Sequence, residues 1–103
     1  MKRGEIWTVG GPGDLRHRVV VLSSDAHNER SGAVPFCAPI VRQRGPDLPP
    51  FAVALHEADP LSGVVVVNRM RRIPRLPGAV RVGMVTGTSM ARLEKALRDF
   101  FEV

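Results

Sequence analysis

At 103 residues the chain can bury one hydrophobic core and not two. Its 44% hydrophobic and 24% charged residues exclude a disordered segment, and its single cysteine, Cys37, excludes an intrachain disulfide or a cysteine-built metal site; with no membrane-length apolar run and no signal-peptide core, a soluble cytoplasmic protein is expected. The formal net charge of +5 calls for an anionic partner, either nucleic acid or an acidic polypeptide, unless it only solvates the surface.

Glu5 to Val9 reads as a first strand, and Gly10-Gly11-Pro12-Gly13-Asp14 as a loop, because glycine and proline supply turn geometry that other residues resist. Arg18 to Ser23 is a β-branched run of the kind buried on both faces. Ser24 to Gly32 is polar, with a helical turn expected near Asp25 to Asn28. Ala33 to Val41 predicts a third strand that Pro35 and Pro39 confine to an edge, end or bulge. After the Arg42–Pro50 loop, Phe51 to Leu55 predicts a fourth strand and Val64 to Val67 a fifth, which Met70 to Ile73 extends. Val80 to Val85 is the last strand. Thr86 or Thr88 then caps a helix from about Ser89 to Phe101, with Met90, Leu93, Leu97, Phe100 and Phe101 on one face and a Glu94–Arg98 pair along another. Trp7 and Cys37 are expected in the core. The pattern is mainly β with a C-terminal α-helix: a single domain, 1–103, built as a small bent antiparallel sheet or barrel.

The basic residues are concentrated and mostly arginine. From Pro60 to Leu93 there is no acidic residue, yet the span carries Arg69, Arg71, Arg72, Arg75, Arg81 and Arg92; Arg30, Arg42 and Arg44 form a second acid-free group. The guanidinium fork pairs with phosphate bidentately and stacks on bases. His17, His27 and His56 are isolated from one another, and neither a phosphate-cradling loop nor a dinucleotide fingerprint is present, so no metal or cofactor is expected.

The opening Lys2-Arg3-Gly4-Glu5-Ile6-Trp7, the run Arg16-His17-Arg18-Val19-Val20-Val21-Leu22-Ser23 and the following Asp25-Ala26-His27-Asn28 together resemble the start of the MazF/PemK toxins, endoribonucleases of bacterial toxin–antitoxin pairs. The resemblance continues through Gly32–Gln43 and Gly63–Ile73. It implies the barrel-like fold shared by MazF, Kid and CcdB, a homodimer, and an acidic MazE-like antitoxin. It also implies sequence-selective cleavage of single-stranded RNA without a metal, leaving a 2′,3′-cyclic phosphate and a 5′-OH.

The resemblance implies a catalytic arginine at the entrance to the second strand, where this chain has Arg16, His17 and Arg18. Without a gap His17 takes the family arginine's place; with one deletion Arg18 does. Alternation puts Arg16 and Arg18 on one face, and His17 brings a side chain suited to proton transfer near neutral pH. Three solvated charges at a loop end are the plainer reading. The family's Thr or Ser after the third strand's proline falls on Val41, which cannot donate a hydrogen bond. Arg42, Gln43, Arg44, Arg69, Arg71 and Arg72 are the candidate RNA contacts, although charge guarding a strand edge would read the same way. The missing hydroxyl keeps open a CcdB-like toxin that poisons gyrase by binding alone, or a catalytically impaired member that binds only nucleic acid or antitoxin.

Overall fold

The computed structural model describes residues 1–10, 17–74 and 78–102, so Arg16 and Arg75, both singled out above, lie outside the described residues. Within them the chain runs β1 (Glu5–Val9), β2 (His17–Val21), α1 (Asp25–Asn28), β3 (Phe36–Val41), β4 (Ala52–Ala54), β5 (Val64–Val66), a 3-10 turn (Val67–Arg69), β6 (Arg71–Arg72), β7 (Val80–Met84) and α2 (Gly87–Phe101). The strands form one antiparallel sheet in the order β4-β5-β3-β2-β1-β7, with β6 also paired to β3. The sheet is open among the described residues, ending at β4 and β7, so the bent sheet and not the closed barrel is realised.

Period-two alternation gives the sheet two apolar faces. Ile6, Val20, Ala38 and Val65 belong to the larger core, which α2 closes with Leu93 and Ala96. Val9, Val19, Val21 and Cys37 make a smaller core on the other side with Ile73, backed by Met1, Trp7 and Ala79, so the single core expected from the chain length is divided between the two faces of the sheet. Cys37 is fully buried, and burial pushes its thiol up to about 12, so it is an inert core residue. Trp7 is half-buried and donates its indole N–H to Glu5 Oε1 at 3.4 Å.

Several expected boundaries move for physical reasons. The third strand begins at Phe36 and not Ala33, because Pro35 precedes the first ladder pair. Pro39 is tolerated in a central strand because it falls between two ladders: Phe36 and Cys37 pair with β6, whereas Ile40 and Val41 pair with β5. The 3-10 turn at Val67–Arg69 makes that gap, so Met70–Ile73 does not simply extend β5. Gly63 lets β5 come close to β3: its φ is +144°, and a Cβ there would lie 2.8 Å from Ile40 Cγ2 and 3.0 Å from the Val41 carbonyl oxygen.

The C-terminal helix starts at Gly87, capped by the Thr86 hydroxyl, which accepts the Ser89 N–H at 3.2 Å. The expected Glu94–Arg98 pair is replaced by two others. Glu94 reaches Arg3 at 3.2 Å, and Lys95 pairs with Asp99 at 2.7 Å. Phe100 and Phe101, expected on the apolar face, are exposed and form an edge-to-face series with Phe51.

Candidate functional site

The antiparallel register sets Thr8 opposite Arg18 and Arg18 opposite Ile40, so these three form one row across β1, β2 and β3. They lie on the α2 side of the sheet, two residues along each strand from Ile6, Val20 and Ala38. The core stops there, and the row opens to solvent. Arg18 and His17 are exposed, while Thr8 is half-buried. All four residues border a cavity of about 350 Å³. His17 is the first residue of β2, and its Cα partner is Val9, so alternation turns its ring toward the smaller core's side while it still edges the cavity.

Arg18 also lines a second cavity of about 500 Å³, together with Val41, Arg42, Gln43, Ser62 and Gly63. The close approach at Gly63 shapes its floor. Continuing past the end of β3, a third cavity of about 580 Å³ has Arg42, Gln43, Arg44 and Arg69 around it, with Asp47 as the one carboxylate among its described lining residues. Val41, Arg42 and Gln43 border both, so the two cavities adjoin. The result is a basic tract from the β2 entrance to the β3–β4 loop. Gln43 holds that loop by donating its side-chain amide to the Gly45 carbonyl at 3.2 Å.

Two of the predicted RNA contacts stand apart. Arg71 and Arg72 are exposed on β6, paired with Cys37 and Phe36 at the opposite end of β3 from Val41, and border none of these cavities. Other arginines of the acid-free span are also dispersed. Arg81 is bound by Glu5 across the β1–β7 ladder, and Arg92 lines a separate hollow between α2 and β4. Burial pushes the Glu5 carboxyl up, but the Lys2 N–H, Arg81 and the Trp7 indole together outweigh it and hold it below the ordinary range.

Of Asp25 and Asn28, which carry part of the family resemblance, Asp25 ties α1 to the segment before β1 and Asn28 acts locally. Asp25 Oδ1 accepts the Arg3 N–H at 2.7 Å, and Asn28 Nδ2 donates to the Ser23 carbonyl at 3.0 Å. His27 bonds the Val34 carbonyl and His56 accepts the Ala58 N–H, which leaves His17 as the histidine at the basic tract. Among the described residues, no three His, Cys, Asp or Glu side chains are grouped to hold a metal. No described helix is long and apolar enough to cross a membrane. Thr8 and Ser62 also bring hydroxyls to the Arg18 cavities, although neither stands out in the sequence. Nothing local distinguishes them, since their proximity to Arg18 depends on strand register and on the 55–63 connection.

Residues 2–101 match the model of the family described as PemK-like, MazF-like toxin of type II toxin–antitoxin system. Comparison with curated proteins returns no match. Among solved structures, an endoribonuclease in complex with its cognate antitoxin from a mycobacterial species superposes with a TM-score of 0.84 at 22% identity, over 100% of this chain and 96% of that one. A second mycobacterial endoribonuclease gives 0.81 at 24% identity, covering 100% and 92%. A MazE–MazF structure from Deinococcus radiodurans gives 0.79 at 22% identity, covering 98% and 94%. At these identities the superpositions speak to the fold.

Proposed function

The chain belongs to the PemK-like, MazF-like toxins of type II toxin–antitoxin systems, and from that premise we propose that it is a sequence-selective, metal-independent endoribonuclease of single-stranded RNA. The observation that carries this reading is the convergence of Arg18, Arg42 and Gln43 on one cavity that adjoins the His17 edge on one side and Arg44 and Arg69 on the other. In the proposed reaction the ribose 2′-oxygen attacks its own phosphorus and the P–O5′ bond breaks, giving a 2′,3′-cyclic phosphate and a 5′-OH. His17 takes the 2′-OH proton, and solvent water gives a proton to the departing 5′-oxygen. Arg18 stabilises the charge that builds on the phosphorane, and Arg16, from the same strand entrance, shares that task. Arg42, Gln43, Arg44 and Arg69 hold the strand beyond the scissile bond, and Arg71 and Arg72 extend phosphate contact along a longer RNA.

In this reading the protein acts in the cytoplasm as a homodimer, and an acidic MazE-like antitoxin competes for the basic tract. Incubation with a long RNA in EDTA, followed by mapping of both ends, tests it: discrete cuts bearing a cyclic phosphate and a 5′-OH are expected. Val41 favours a second reading, a CcdB-like poison of gyrase that needs no catalytic hydroxyl. Intact RNA together with inhibited supercoiling would select it.

A further inference from the structure

The resemblance puts the family hydroxyl at Val41, which cannot donate a hydrogen bond, yet phosphoryl transfer at Arg18 still benefits from a neutral donor beside the guanidinium. We infer that Thr8 supplies it, donating its hydroxyl to the same phosphate oxygen that Arg18 binds, so that the donor comes from β1 instead of the end of β3. This assignment rests on the endoribonuclease reading and names a further catalytic residue within it.

Three features favour Thr8. It is the direct cross-strand partner of Arg18, and directly opposed side chains on one sheet face have Cβ atoms about 4.5–5.5 Å apart, within reach of one phosphate group. Both line the cavity of about 350 Å³ with His17 and Ile40, so the hydroxyl and the guanidinium border one space open to an incoming phosphate. Thr8 is also β-branched and half-buried in a paired strand, so its hydroxyl is held in few orientations. Ser62, the alternative hydroxyl beside Arg18, is exposed in a connection between strands and carries no such constraint. In the step itself, the 2′-oxygen–phosphorus bond forms as the phosphorus–O5′ bond breaks. Thr8 keeps its proton throughout and acts only as a hydrogen-bond donor.

Thr8→Val removes the hydroxyl and preserves shape and strand preference, while Thr8→Ser retains the donor. The affinity of each, with Arg18→Ala and the double variant, is measured by titration with a 2′-deoxy oligonucleotide that cannot be cleaved, and the cleavage rate is measured on the matching RNA. A hydrogen bond to a charged group is worth about 10- to 100-fold, so Thr8→Val is expected to lose that much in cleavage rate and part of it in affinity. Thr8→Ser should recover most of both, and Ser62→Ala should lose much less of either than Thr8→Val. The double variant should lose less affinity than the two single losses combined, because both side chains hold one group. Wild-type affinity and rate in Thr8→Val would overturn the assignment, and loss in Ser62→Ala instead would transfer it to Ser62. If the wild type binds the oligonucleotide through a coupled Thr8–Arg18 pair but leaves RNA uncut, the anion site stands and the endoribonuclease reading fails. If it binds no oligonucleotide, both fail.

Discussion

Asp59 and Ser89, thirty residues apart, meet in the interior, where the Ser89 hydroxyl donates to the Asp59 carboxylate. The same carboxylate accepts the Thr86 N–H and the His56 N–H, each at 2.7 Å. One buried side chain therefore fastens the turn after β4 to the first turn of α2, next to the connection that borders the Arg18 cavity.

Burial pushes the Asp59 carboxyl up, but the bonds from Ser89, Thr86 and His56 together outweigh it and hold it below its ordinary 3.8. A group whose folded pKa is depressed adds stability that is present above the ordinary value and is lost as pH falls through the lowered one. Asp59→Asn replaces an acceptor oxygen with an N–H₂ group that, in either amide orientation, faces a backbone N–H, that of Thr86 or of His56. It should cost about 1–3 kcal/mol at pH 7 in urea unfolding. The gap between wild type and variant should narrow below pH 3.8. A gap that stayed constant down to pH 2 would mean that the carboxylate charge contributes nothing.

Arg18 is exposed at a strand entrance and makes no core contact that its removal would empty. Arg18→Ala should leave the melting temperature within a degree or two and lower RNA cleavage by about 10²-fold or more. His17→Ala is the companion measurement. If it abolishes cleavage and Arg18→Ala does not, the gapless correspondence with the family is the correct one and the charge-stabilising role shifts to His17.

Val41 is half-buried and borders both basic cavities, so a hydroxyl placed there can reach water or substrate. Val41→Thr should change stability by less than about 0.5 kcal/mol and keep or raise cleavage. Destabilisation with unchanged turnover would show that the position serves packing alone.

Arg69 and Arg71 are neighbours in sequence but sit in different places, Arg69 on the cavity with Arg42 and Arg44, Arg71 against Cys37. Arg69→Ala should weaken RNA binding and flatten its salt dependence by about 0.7 in log–log slope, the loss of one phosphate contact. Arg71→Ala should do so only for RNAs long enough to reach β6. An acidic antitoxin peptide should lose affinity with Arg69→Ala in the same salt range. Equal effects of both substitutions on a short RNA would place the strand along β6 as well.

Local signals were enough for much of this protein. The β-branched run ending at Ser23, the apolar spacing of Met90, Leu93 and Leu97 and the capping threonine each define an element through its own periodicity or hydrogen bonding. The density of arginine points to an anionic ligand, and the opening Lys2–Trp7 segment to the family, independently of any tertiary contact. Where Pro39 could sit was decided by the 3-10 turn far along the chain, and the fate of Glu94 by Arg3 at the other end of it. The same holds for the site. Sequence could nominate Arg18, Arg42, Gln43, Arg44, Arg69, Arg71 and Arg72 as one group, since charge is a property of each residue. Only strand register could separate Arg71 and Arg72 from the rest, bind Arg81 to Glu5 and bring Thr8 alongside Arg18. Register is fixed by which apolar residues share a core across distant strands, so it exists only once the sheet has formed.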